Sequence, residues 1–198
     1  MRQEGIDVYL VEDDKDFVFL VEKTLEKEPD LQFAGSCSGA DRAMAEVIKY
    51  QPHIVLVDLC LGGKFLDGIE LARKIRIQTD AKVMILTAYE DISTIKSACI
   101  RSFASDYLFK RNFTMLTERI RACARGVTSN EMLIFSLILS QLTPSEQSQF
   151  YKILGADVDL LSSPKTQANQ KSQLLKKLNL SDSREICHLF KNIPLDQL

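Results

Sequence analysis

The chain has 198 residues, room for one large domain or for a domain of ordinary size with a small companion. Hydrophobic residues at 45% and charged residues at 26% are globular values, which exclude wholesale disorder and fibrous repeats. With 27 acids against 25 bases the net charge is −2, which excludes coating of nucleic acid or anionic membrane through bulk charge but leaves room for a local basic patch.

Short β-branched apolar runs are predicted as strands at Ile6 to Val11, Leu31 to Ala34, Ile54 to Val57, Val83 to Leu86 and Asp106 to Phe109. Stretches of helical spacing alternate with them at Phe17 to Glu26, Asp41 to Lys49, Ile69 to Ile77, Ile92 to Arg101 and Phe113 to Arg125. Continuous apolar strands between amphipathic helices predict a parallel sheet covered on both faces. Five such units make an α/β, flavodoxin-like doubly wound sheet, not a closed eight-unit barrel.

After Gly126 the rhythm changes. Thr128, Ser129 and Asn130 offer helix-start chemistry for an apolar helix over Glu131 to Gln141, too apolar for a free linker. It is expected to pack within the chain, or else to form a dimer seam. Leu142-Thr143-Pro144-Ser145-Glu146 then opens a further helix with a capping box and proline in its favoured first position. Short helices follow, broken near Gly155 and Pro164. The expected organisation is a domain over 1–126, a linker helix over 127–141 and a small all-α domain over 142–198.

No apolar stretch approaches the roughly 20 residues of a membrane helix, since Met132 to Leu139 is short and interrupted by Ser136. The first residues run into a strand with no signal-peptide character. Five scattered cysteines without a CxxC pair, and two distant histidines, argue against zinc and disulfides. A reducing cytoplasm, with no membrane partner, is the expected setting.

In an open parallel sheet, ligands bind beyond the carboxyl ends of the strands. The first strand ends in Glu12-Asp13-Asp14, the third in Asp58, the fourth in Thr87-Ala88, and the fifth at Phe109 with Lys110 after it. Crowded carboxylates call for a cation, and Mg²⁺ is held by two carboxylates, a carbonyl and waters. An aspartate, Mg²⁺, a hydroxyl and a lysine together make a site for a phosphoryl group on Asp58. Asp14 reads better as a helix N-cap.

Four motifs in order, Leu-Val-Glu12-Asp13-Asp14, Val-Leu-Val-Asp58, Ile-Leu-Thr87-Ala88 and Asp-Tyr107-Leu-Phe-Lys110, resemble the receiver domain of two-component response regulators over residues 5 to about 125. The resemblance implies that Asp58 is the phosphoacceptor, phosphorylated by a sensor histidine kinase. It implies Mg²⁺ as cofactor, with Asp13 and Asp58 as ligands, Glu12 acting through water and the Cys60 carbonyl completing the set. Thr87 would read the phosphoryl group, Lys110 would pair with it, and Tyr107 would be the aromatic switch. As a plain residue, Tyr107 reads equally as a half-buried strand aromatic. Two departures bear on the loops. Arg111 stands where the family has proline after the lysine, and after Asp58 Gly62 replaces the family's usual proline while Asp67-Gly68 lies about two residues later than is common, which predicts a longer, looser loop.

Residues 142 to 190 resemble the LuxR-type helix-turn-helix output domain through Leu142-Thr143-Pro144-Ser145-Glu146, Lys165-Thr166, Leu175, Lys177-Leu178 and Leu180-Ser181. This resemblance implies a recognition helix beginning near Lys165, with Lys165, Thr166, Asn169, Gln170, Lys171 and Gln173 facing promoter DNA, and a possible homodimer. From Lys165 to Lys191 six basic and two acidic side chains give a local charge of +4. The chain is about six residues shorter than that family at the first helix of the motif, and Gln167, Asn169 and Lys171 replace its apolar anchors. An adaptor whose tail binds protein is the second reading. A phosphotransferase or phosphatase with an aspartyl nucleophile is the third, though Cys60 stands where that class places a second acid.

Overall fold

The computed structural model describes residues 5–62, 65–160 and 162–195. The chain divides into two compact units, residues 1–134 and 135–198.

The first unit is a five-stranded parallel sheet of order β2-β1-β3-β4-β5. Its strands are β1 (Ile6–Val11), β2 (Leu31–Cys37), β3 (Ile54–Asp58), β4 (Lys82–Thr87) and β5 (Asp106–Phe109). The connecting helices are α1 (Lys15–Leu25), α2 (Ala40–Tyr50), α3 (Phe65–Gln78), α4 (Ile92–Ser102) and α5 (Leu116–Arg125). The flavodoxin-like expectation holds. β2 runs three residues beyond its predicted end because Gly35 and Ser36 hide it by composition, and its register with β1 slips there. The helix predicted from Phe113 is a 3-10 segment over Lys110–Met115 before α5 begins.

Side chains alternate across a strand, and the two apolar cores follow that period of two. Val8, Leu10, Ile54, Leu56, Met84, Leu86 and Leu108 pack in one cluster with Val21 and Leu25 of α1 and Leu116 and Ile120 of α5. Tyr9, Val11, Val55, Val57 and Val83 pack in the other with Val47 of α2 and Leu71 and Ile75 of α3. Continuing the first set of rows by one step gives Glu12, Asp58 and Lys110. The packing that builds the α1/α5 face of the core therefore aims these three polar residues at the same side of the sheet rim.

Gly68 brings α3 against the end of β3. A Cβ there would lie 2.2 Å from the Asp58 carbonyl oxygen and 2.7 Å from the Leu59 Cα, both backbone atoms with little room to yield. Gly68→Ala is expected to lower stability by about 1–3 kcal/mol through overpacking and to displace the backbone that carries Asp58. Denaturant unfolding checks the first effect and hydrogen exchange at the end of β3 the second, and wild-type stability would contradict the contact.

The helix α6 (Ser129–Leu139) spans the residue at which the first unit ends. Ile134, Phe135, Ile138 and Leu139 are buried, so it packs within the chain, while Leu133 is exposed. In the second unit Phe135, Phe150 and Phe190 form a three-ring core with centroids 5.3–5.9 Å apart. The unit contains α7 (Pro144–Ile153), α8 (Pro164–Leu178) and α9 (Ser183–Phe190). The expected capping box is present at α7, where the Glu146 side chain takes the Thr143 amide at 2.7 Å. The same carboxylate pairs with Lys177 of α8 at 2.6 Å, which fixes the two helices in register.

Among the described residues, 154–163 contain no helix, so α7 is followed directly by α8. The first ten residues of α8, Pro164 to Gln173, include no buried side chain, and the helix enters the core only at Leu174 and Leu178. Among the described residues no helix is long and apolar enough to cross a membrane.

Candidate functional site

Glu12, Asp13 and Asp58 each place one carboxylate oxygen within 4.8 Å of the others'. Glu12 and Asp58 are buried and Asp13 is exposed. The Lys110 ammonium bridges the two buried acids, 2.6 Å from Glu12 Oε2 and 3.1 Å from Asp58 Oδ2. Its outer side lies over the Phe17 ring of α1, 4.6 Å from the centroid, a cation–π contact that orients the ammonium inward. An open cleft of about 500 Å³, lined by Glu12, Asp13, Lys15, Arg42 and Tyr50 among others, gives access beside the cluster.

Burial is the largest influence on Glu12 and raises its pKa. The Lys110 hydrogen bond works the other way without overcoming it, and the Asp58 charge adds to the rise. Burial likewise opposes the charge on Lys110, but the Glu12 hydrogen bond and the Asp58 carboxylate outweigh it and hold its pKa above the ordinary value. Three carboxylates against one ammonium leave two negative charges for a cation to neutralise. Hard oxygen donors with uncompensated charge fit Mg²⁺.

Asp14 is the N-cap of α1, its Oδ1 accepting the amides of Asp16 at 2.9 Å and Phe17 at 3.2 Å, so it stands apart from the cluster. Gly62, at φ +59°, donates its amide to Asp13 Oδ2 at 3.0 Å. This bond ties the exposed acid to the segment after Asp58. Of the segment predicted to be a longer, looser loop, Gly63 and Lys64 lie outside the described residues, while Phe65 to Gly68 belong to α3.

Thr87 is fully buried and its hydroxyl accepts the Tyr89 amide at 3.0 Å. Tyr107 is half-buried and pairs in register with Ile85, whereas Phe109 pairs with Thr87. The Tyr107 ring meets Phe109 edge-on at 5.8 Å. Three contributors were not found from the sequence: Phe17 over Lys110, Gly62 on Asp13, and Tyr89. The Tyr89 hydroxyl bonds the Cys60 thiol, and this contact, with some burial and the nearby Asp58, raises the Tyr89 pKa. The signal available was spacing, since Cys60 and Tyr89 stand two residues after Asp58 and Thr87 on adjacent strands.

In the second unit Lys165, Thr166, Asn169, Lys171 and Gln173 are exposed along α8. Gln170 is half-buried and accepts a long hydrogen bond from Ser162 Oγ at 3.5 Å.

A parallel sheet of this order with a lysine-bridged acid cluster at its carboxyl rim defines the class. The sequence pattern of the response regulator receiver domain matches residues 8–121, and the chain belongs to this family, one of signalling proteins and not of metabolic enzymes. It is similar to the transcriptional regulatory protein DegU of Brevibacillus brevis, 26% identical over 64% of this chain and 53% of DegU. It is also similar to the nitrogen assimilation regulatory protein NtrX of Azorhizobium caulinodans, 31% identical over 57% of this chain and 25% of NtrX. The chain thus spans between a quarter and about half of the length of these two curated relatives. Among solved structures it resembles the BeF3-activated receiver domain of Klebsiella pneumoniae RstA (29% identity, TM-score 0.53, 60% of this chain and 98% of that one). It also resembles the RcsB response regulator of Salmonella typhimurium (20% identity, TM-score 0.57, 95% of this chain and 98% of that one), a likeness of fold.

Proposed function

We propose that this chain is a phosphorylation-operated switch in which Asp58 accepts a phosphoryl group from a sensor histidine kinase and thereby controls the second unit. The carrying observation is the Lys110 ammonium shared by Asp58 and Glu12, with Asp13 beside them. In the transfer, an Asp58 carboxylate oxygen forms the new P–O bond as the P–N bond to the donor histidine breaks. Asp13, Asp58 and the Cys60 carbonyl would hold Mg²⁺, with Glu12 acting through water. When bound, that ion supplies positive charge to the phosphoryl oxygens. Lys110 is placed to follow a phosphoryl oxygen on Asp58, and the Thr87 hydroxyl to bond another, which would draw Tyr107 inward. The phosphoryl group biases a two-state equilibrium because it contacts one state only.

Because Mg²⁺ needs the Glu12 carboxylate ionised, metal and proton compete. Glu12 has a raised pKa, so Mg²⁺ affinity is expected to fall as pH is lowered, with the loss setting in above the ordinary carboxylate range. Calorimetric Mg²⁺ titrations over a pH series check this. Affinity that stays flat down to about pH 5, near the usual range for glutamate, would contradict it.

For the output, the exposed Lys165, Thr166, Asn169, Lys171 and Gln173, with Gln170, support contact of α8 with promoter DNA, and an altered face near β4 and β5 would set dimerisation. Lys165→Ala with Lys171→Ala is expected to weaken DNA binding and to flatten the salt dependence by about two phosphate contacts, a slope change of about 1.8. That α7 and α8 have no helix between them among the described residues favours a second reading, a phosphorylation-dependent adaptor whose tail binds protein. Wild-type protein without salt-dependent DNA affinity at low ionic strength would decide for the adaptor.

A further inference from the structure

The rim of the sheet opposite the acid cluster carries a second polar network, built between the strands and the first turn of α6. Asp106, the first residue of β5, is fully buried. Its Oδ1 accepts Asn130 Nδ2 of α6 at 2.7 Å, the Tyr107 amide at 2.7 Å, and Arg119 of α5. Among the described residues its Oδ2 is buried without a hydrogen-bond partner. The next residue of α6, Glu131, is buried and pairs with Lys82, the first residue of β4, at 2.9 Å and with Arg76 of α3 at 3.8 Å. Thr128 Oγ1 accepts the Glu131 amide at 3.1 Å and so fixes that turn.

β5 is only four residues long. At about 3.3 Å per residue it spans roughly 13 Å, short enough to move as one piece. Lys110, directly after it, is bonded to Asp58, while Asp106, its first residue, is bonded to Asn130. Tyr107 lies next to Asp106. A repositioning of Tyr107 and Lys110 therefore acts on a buried carboxylate whose hydrogen bonds all fall on one oxygen.

We propose that the first turn of α6 is the receiver's output contact: β5 conveys the state of Asp58 through Asp106 to Asn130 and, beside it, Glu131. This rests on the phosphoacceptor reading above. α6 itself continues to Leu139, past the end of the first unit, so a change at its first turn reaches a helix that the second unit also uses.

The test is hydrogen exchange by mass spectrometry on the full chain, following peptides that cover 127–139, with Mg²⁺ and with or without beryllofluoride as the phosphoryl analogue. In the wild type, beryllofluoride is expected to change exchange in the first turn of α6. In Asn130→Ala that response is lost, while the adduct still forms at Asp58. Coupling is reciprocal, so the beryllofluoride midpoint also shifts in Asn130→Ala, by about five-fold or more, which a merely structural role of Asn130 would not produce. An α6 that ignores the adduct in the wild type, or an Asn130→Ala variant that responds with an unshifted midpoint, overturns the proposal. Should Asn130→Ala not fold, Glu131→Gln, which keeps an acceptor for Lys82, is read by the same two outcomes. Failure of the wild type to form any adduct would instead refute the phosphoacceptor reading, and the output contact with it.

Discussion

Asp58→Asn is expected to abolish covalent labelling by acetyl phosphate while leaving the fold intact. Asparagine has nearly the same shape, so it keeps the packing at the end of β3, but its amide cannot form the acyl phosphate. Other carboxylates are poor substitutes on this geometry. Asp14 is committed to the α1 cap, Glu12 is buried with its charge opposed by desolvation, and Asp13 is held by the Gly62 amide. Intact-mass spectrometry of wild type and variant reads the effect directly. A variant that still takes up one phosphoryl group per chain would remove Asp58 from its assigned role.

Lys110→Ala is expected to produce the largest loss of stability of any change at the rim. Removing one partner of a buried ion pair leaves the other charge uncompensated, at a cost of about 3–5 kcal/mol. Here two buried carboxylates lose the ammonium they share. The loss should be partly reversible in a way that a cavity is not. Mg²⁺ binds the folded site and stabilises it by mass action, so thermal unfolding of Lys110→Ala should rise with added Mg²⁺ more steeply than that of the wild type. Glu12, with its raised pKa, becomes still easier to protonate once Lys110 is gone, so mild acid should also relieve the variant. A variant as stable as the wild type, or one indifferent to Mg²⁺, would show that the ammonium does not organise the acids.

Much of this was legible in the sequence because the information is local. β3 and β4 fall within one residue of where apolar runs predict them, since a strand buried on both faces is apolar along nearly its whole length. The site follows from the rule that strand ends carry the ligands, and alternation alone places Glu12, Asp58 and Lys110 on one side. What escaped depends on partners distant in the chain. Nothing near Asn130 points to Asp106, and nothing near Glu131 points to Arg76 or Lys82; these pairs exist only once β4, β5 and α6 are side by side. α3 starts at Phe65, four residues ahead of the Ile69 predicted for it, and Gly68 in its first turns allows the close approach to β3. In the second unit the capping box locates the start of α7 by itself.

The central claim, that carboxylates at one rim use Mg²⁺ to make Asp58 a phosphate acceptor, is tested most directly by chemical mapping. The protein is treated with acetyl phosphate with and without Mg²⁺, reduced with borohydride, and sequenced by tandem mass spectrometry, which converts an aspartyl phosphate into homoserine. Homoserine at position 58, and only in the reaction containing Mg²⁺, is the predicted result. Homoserine at another residue, or at position 58 regardless of metal, would contradict the account.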